Sequence, residues 1–371
     1  MKALRRLSII AAVCGLGLTA GLTPATAAVP EAAVALKAGA DRGIADGYPG
    51  IVGLVRDGSQ TQYIQAGVGD RGTRTPADPK AKFRIGSNTK SFTAATVLLL
   101  EADGLLSLDD TVAKWLPNAV NANGYDGSKI TVRQLLNQTS NLPDYTMNID
   151  GYTVNPNWTP QRLVDGALRK RPPNAQPGQK WEYANTNYVL AGMVIRAVTG
   201  NEPAAEMKTR IFDRLGLADT SLPTTDNNIY GNFLHGYYLA GPVMLDMTVT
   251  SVQATQTAGA IISTLDDLGT FERALVGGTL LPPAQQAELK TTVPTGIAGS
   301  TYGLGLMRVD TSCGRTAWYH NGAVPGYYSF HITSDDGSKQ VVEANNENHL
   351  VQGTPGQTHT QEGALNAFCA L

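Results

Sequence analysis

Phe83-Arg84-Ile85-Gly86-Ser87-Asn88-Thr89-Lys90-Ser91-Phe92-Thr93-Ala94-Ala95-Thr96-Val97-Leu98-Leu99-Leu100 is a small-residue turn running straight into a strongly apolar helix pattern. The turn places Ser87 at the helix start, where unpaired N–H groups and the helix dipole favour developing negative charge. Lys90, three residues on, falls on the same helical face and within reach of the hydroxyl. A serine hydroxyl is a poor nucleophile until a neighbouring base takes its proton. The plain structural alternative makes Ser87 an N-cap and Lys90 a solvated lysine. The rest of the chain decides between them.

Two later motifs complete a constellation. Tyr183-Ala184-Asn185 offers a phenol able to relay a proton and a side-chain amide. His320-Asn321-Gly322-Ala323 offers a strand whose glycine can lie flat against a substrate. Each motif is weak alone, since Tyr-x-Asn recurs at Tyr230-Gly231-Asn232 and at Tyr319-His320-Asn321. In order and widely spaced, the three describe an acyl-transfer site.

On these residues the sequence resembles the penicillin-interacting serine hydrolases, specifically the secreted DD-carboxypeptidases and D-stereospecific peptidases related to class C β-lactamases. The likeness extends through Ile130-Thr131-Val132-Arg133-Gln134-Leu135-Leu136 to Tyr145, Pro177-Gly178-Gln179-Lys180-Trp181-Glu182 to Tyr188, Thr257-Ala258-Gly259-Ala260, and Tyr302-Gly303-Leu304-Gly305-Leu306. It spans roughly Ile51 to Cys369. The resemblance implies an α+β fold, with an antiparallel sheet built from both chain ends, flanking helices and an inserted, mainly α-helical lobe. It implies that Ser87 attacks a carbonyl to form an acyl-enzyme. Lys90 beside Tyr183 would lower the phenol's pKa, so either could act as base, with Tyr183 passing the proton to the leaving group. Asn185 would hold the substrate's amide carbonyl, and the backbone N–H groups of Ser87 and Ala323 would form the oxyanion hole. Implied substrates are D-residue peptides such as peptidoglycan stem peptides, with β-lactams as covalent ligands. Neither cofactor nor metal is implied.

Three departures bear on substrate choice. The carboxypeptidases have His-Thr-Gly followed by Thr, where this chain has Asn321 and Ala323. A family arginine that binds the substrate's carboxylate aligns with Met307, and a cleft tryptophan aligns with Ala254. Arg308 is expected on the opposite strand face from Met307 and so is no replacement. The clamp should therefore rest on His320, charged part of the time near neutral pH, and on the amide of Asn321. Loss of a bidentate charged contact costs about 1.5–3 kcal/mol. The expected activity is D-alanyl-D-alanine carboxypeptidase, with a D-stereospecific endopeptidase, amidase or esterase as the alternative. A β-lactamase ranks lower because no dedicated deacylation device is legible. An idle penicillin-binding protein ranks lower because Ser87, Lys90 and Tyr183 are intact.

Composition sets the context. Lys2, Arg5 and Arg6, an apolar run and Ala25-Thr26-Ala27 mark an export signal over 1–27. Cys14 is read as part of that removed signal. Residues 28–371 then form a secreted catalytic domain of the cell-wall region, expected as a monomer. Its α/β lobe is expected at about 28–86 and 290–371, and its helical lobe at about 87–289. Processing removes three basic residues and takes the formal charge from -2 to -5, leaving no basic footprint for nucleic acid. No later segment approaches 18 uninterrupted apolar residues, so no membrane anchor is expected. Cys313 and Cys369 remain in an oxidising compartment and are expected to pair; a free thiol pair or a metal site are the alternatives. Gly67-Val68-Gly69-Asp70-Arg71-Gly72 matches a dinucleotide fingerprint as a string but leads into Thr73-Arg74-Thr75-Pro76 rather than a helix, so a turn is expected.

Overall fold

Ile51-Val52-Gly53-Leu54-Val55 is a near-continuous apolar run, the signature of a strand covered on both faces. In the computed structural model, which describes residues 28–146 and 158–371, it is the centre of strand β1 (Gly50–Asp57), buried along almost its whole length. The expected export signal lies outside the described residues. A tight turn at Gly58 leads to β2 (Gln60–Asp70) and then β3 (Thr75–Pro76). Late strands complete the sheet: β4 (Val293–Pro294), β5 (Ser300–Tyr302), β6 (Met307–Asp310), β7 (Thr316–Val324), β8 (Tyr327–Ser334) and β9 (Lys339–Asn345). The nine strands run in the order β3-β2-β1-β9-β8-β7-β6-β5-β4, each antiparallel to its neighbours. The chain's two ends meet where β1 pairs with β9, from Ile51↔Asn345 to Asp57↔Lys339.

Alternation along the strands separates two cores. Ile51, Val55, Phe330 and Ile332 face an outer layer made by the N-terminal helix Ala28–Ala45 and the C-terminal helix Pro355–Ala370. These helices touch at Gly39 and Gly363, where any side chain would strike the opposing backbone. Val52, Leu54, Trp318 and Val342 face an inner, larger core shared with Phe92, Leu98, Tyr188 and Phe271. Those last residues come from helices Thr89–Ala102, Asn185–Thr199 and Leu265–Val276. An antiparallel sheet from both chain ends with a mainly helical insertion is therefore the observed architecture.

Local turn and cap chemistry sets several element boundaries. Gly303–Leu306 closes a turn through Gly303 N–H to Leu306 O at 2.8 Å, with Gly305 at φ +84. The mainly helical middle also carries a two-stranded hairpin, Tyr237–Ala240 with Val243–Asp246. Its Gly241 has φ +60, a conformation that suits a turn. The last helix starts at Pro355 because the Thr354 side chain accepts from Gln357 N–H and proline suits the first helical position. Gly67–Asp70 lies within β2 and no helix follows it. Cys313 and Cys369 form a disulfide, tying the β6–β7 turn to the last helix. Among the described residues no cluster of His, Cys, Asp or Glu could hold a metal ion, and no helix is long and apolar enough to cross a membrane.

Candidate active site

Ser87 lies in one 3-10 turn, Gly86–Asn88, that feeds the helix Thr89–Ala102. Gly86 adopts φ +52 and lies against the backbone of Gly322 and Ala323, a position with no room for a side chain. Strand β8 pins the same turn. Asn88 Nδ2 donates to Ser329 Oγ at 2.8 Å, and Ser329 Oγ donates to Ile85 O at 3.0 Å. Ser329 in turn sits opposite Gly322 in the β7–β8 ladder. Gly322 is required for a different reason than expected: a Cβ there would overlap the carbonyl oxygen of Ile85. Its bareness seats the Ser87 turn against the strand rather than a substrate. Pairing between β6 and β7 ends at Met307↔Tyr319, so β7 from His320 to Val324 has no β6 partner.

Lys90 is fully buried, and its Nζ reaches three oxygens. Ser87 Oγ is at 2.9 Å, Asn185 Oδ1 at 2.7 Å and Ala258 O at 2.8 Å. Burial pushes its pKa down to about 7, against a partial upward pull from the Asp144 carboxylate. Amide and peptide oxygens can only accept hydrogen bonds. When Lys90 is neutral, its two N–H bonds go to Asn185 and Ala258, and its lone pair points at the Ser87 hydroxyl. The Tyr183 ring lies beside this amine, 4.9 Å from Nζ to the ring centroid.

The Tyr183-Asn185 segment is held by a buried network. Gln138 Oε1 accepts from Ala184 N–H at 3.0 Å and from Asn187 Nδ2 at 2.6 Å. Asn185 itself is engaged at both ends, accepting from Lys90 and donating Nδ2 to the Asp144 carboxylate at 3.2 and 3.3 Å. Ser87, Tyr145, Asn185, Thr255, Gly259 and Ala323 line a small cleft. A larger, mainly apolar cavity opens beside Trp158, Val189 and Met193; Ser87 and Lys90 do not line it.

The expected carboxylate clamp is corrected at three points. His320 is buried, and desolvation together with Lys90 pushes its pKa down to about 3, so it is neutral near pH 7. Its Nδ1 lies 2.6 Å from Asn321 O, an acceptor, so Nδ1 carries the proton. Asn321 pairs with Phe330, on the outer face, and its side chain bonds Tyr328 rather than entering the cleft. Met307 lies opposite Tyr319, whose ring packs on Phe330 in the outer layer, while Arg308 shares the inner face with Trp318. The facing of residues 307 and 308 is thus the reverse of the sequence expectation. Arg308 donates to Thr316 Oγ1 at 3.1 Å and pairs with Asp310 at 3.2 Å. Ala254 is buried, its carbonyl accepting from Tyr145 at 2.6 Å.

Other site groups went unassigned in the sequence. Trp181 and Tyr302, with ring centroids 5.7 Å apart, join Tyr183 and His320 in an aromatic wall. A carboxylate in the otherwise apolar run Leu142-Pro143-Asp144-Tyr145 was the one available signal for Asp144. The Ala258 carbonyl carries no side-chain signal at all.

The Beta-lactamase family profile matches residues 34–343. The chain belongs to the β-lactamase family. It is a serine hydrolase of this penicillin-interacting group, with the family's large antiparallel sheet and packed helices. It is 29% identical over 314 residues to penicillin-binding protein 4* of Bacillus subtilis, covering 79% of this chain and 67% of that protein. Among solved structures it is similar to a D-stereospecific amidohydrolase from Streptomyces sp., at 34% identity and TM-score 0.82, covering 90% of this chain and 98% of that one. It is also similar to the D-amino acid amidase of Ochrobactrum anthropi SV3, at 27% identity and TM-score 0.80, with coverage of 90% and 98%.

Proposed function

We propose that this β-lactamase family member hydrolyses amide and peptide bonds that follow a D-residue, and that it does not require a free terminal carboxylate. The observation that carries the reading is the seat of Lys90, buried between two acceptor-only oxygens and facing Ser87 Oγ. Neutral Lys90 takes the hydroxyl proton as Ser87 Oγ attacks the substrate carbonyl. The N–H groups of Ser87 and Ala323 receive the oxyanion, and collapse expels the leaving amine with a proton delivered through Tyr183. Water then attacks the ester, and the same groups return Ser87 to its starting state.

The leaving-group side is poor in free positive charge. His320 is uncharged and Arg308 is already paired, which supports amides and internal peptides as substrates. The likeness to D-stereospecific amidohydrolases supports a D-residue on the acyl side. Export belongs to the same proposal, with a mature N-terminus at Ala28. The second reading is D-alanyl-D-alanine carboxypeptidase, favoured by Arg308 lying on the inner face.

Ser87→Ala should abolish both hydrolysis and covalent β-lactam labelling, and labelling that persists overturns the nucleophile assignment. Converting a D-Ala-D-Ala peptide to its amide should change kcat/KM by less than about tenfold, or roughly 1.4 kcal/mol. A preference of a hundredfold or more for the free acid, lost in Arg308→Ala, makes the carboxypeptidase reading the correct one.

A further inference from the structure

Asp144 stands outside the three motifs, yet three of its hydrogen bonds go to Asn185. Asn185 is the first residue of the helix Asn185–Thr199, whose N-cap is Ala184, a residue with no side-chain acceptor. Asp144 fills that vacancy from a different segment: its Oδ1 accepts Asn185 N–H at 3.1 Å. The same carboxylate accepts Asn185 Nδ2, and it is fixed in turn by Thr146, whose Oγ1 donates to Oδ2 at 2.5 Å. A carboxylate offers only acceptors, so the –NH2 end of Asn185 must turn toward it and the oxygen end must turn toward Lys90. The polarity seen at Lys90 is therefore imposed from Asp144.

We propose that Asp144 is a positioning residue for acyl transfer, which fixes the carbonyl end of Asn185 on Lys90 and supplies the negative charge against which Lys90 holds its proton. The inference rests on the reading of Lys90 as the base. The groups facing Lys90 are the Tyr183 and Tyr188 rings at 4.9 and 5.6 Å, the Ser87 hydroxyl, the Asn185 amide and the Ala258 carbonyl. His320 from β7 is coupled to it electrostatically. Asp144 is the carboxylate whose field reaches the amine, and Lys170, which donates to the Asp144 backbone oxygen, is the nearby competing cation.

In Asp144→Asn the new amide cannot satisfy the –NH2 of Asn185 as a carboxylate does, so Asn185 can turn over and present –NH2 to Lys90. The variant should lose about tenfold or more in kcat, with KM changed by less than about threefold. Loss of the negative charge favours neutral Lys90, so the acidic limb of kcat/KM should move to lower pH by about half a unit or more. The double variant Asp144→Asn with Asn185→Asp puts a carboxylate directly on Lys90, and its limb should lie above that of the wild type. Opposite shifts are a signature that a purely structural contact would not give. Circular dichroism confirms folding; if the single variant does not fold, the double variant decides alone. An unmoved limb, or shifts of one sign in both variants, overturns the inference. A wild-type profile with no limb near neutral pH overturns the base reading itself.

Discussion

Lys90 carries the strongest residue-scale consequence. A buried amine with pKa about 7 is protonated below that value and then has no lone pair for the Ser87 proton. Acylation should therefore fall as pH drops through about 7, approaching tenfold per unit below it, and should level off above pH 8. Steady-state profiles of kcat/KM on a D-residue amide read this directly, and a flat profile from pH 5 to 8 contradicts it. Lys90→Met, similar in length and apolar, should cost about 10²–10⁴-fold in acylation. The Ser87–Lys90 pairing was legible in the sequence because helical period alone brings positions three apart together. The charge of His320 was not legible. It depends on burial beside Tyr302 and on a field from Lys90, and neither has a local signature.

At the scale of elements, the decisive contact is between β7 and the turn that carries Ser87. Gly322 lets the strand approach until its backbone meets Ile85 and Gly86. In Gly322→Ala the methyl group and the Ile85 carbonyl cannot share that space, so strand and turn must separate by a fraction of an ångström or more. Displaced oxyanion donors should reduce kcat/KM by about 10²-fold, and overpacking should cost about 1–3 kcal/mol of stability. Enzyme assays with urea melts test both, and unchanged kinetics would show that β7 is not held by this contact. Most sheet strands were legible, since β1, β8 and β9 are buried apolar runs with turn residues between them. Their facing was not always so. Assigning Met307 to the cleft required knowing where the Gly303–Leu306 turn ends and the ladder begins, and that register depends on pairing with Tyr302 and Tyr319.

At the scale of the whole molecule, the two ends of the chain meet in one sheet: β1 and β9 pair in its interior, and the terminal helices cover its outer face. Early strands, a helical middle and late strands make that closure readable from the order of patterns along the sequence. The pairing of Cys313 with Cys369 was readable because only those two cysteines follow the expected signal. The bridge joins the β6–β7 turn to the last turn of the last helix, across a sequence separation of 56 residues. It lies at the outer layer, away from Ser87 and Lys90, so its effect should fall on stability and not on chemistry. Closing a loop of that length restricts the unfolded chain by about 4 kcal/mol in the chain-entropy account. For a domain of this size that corresponds to a melting point lower by about 5 °C when the bridge is absent. The double variant Cys313→Ala with Cys369→Ala should show this drop with kcat/KM within about twofold of the wild type. Reductant should lower the melting point of the wild type and leave the variant unchanged. Activity lost in step with the bridge, in a variant that is still folded, would mean that the outer layer does set the position of β7 at the site.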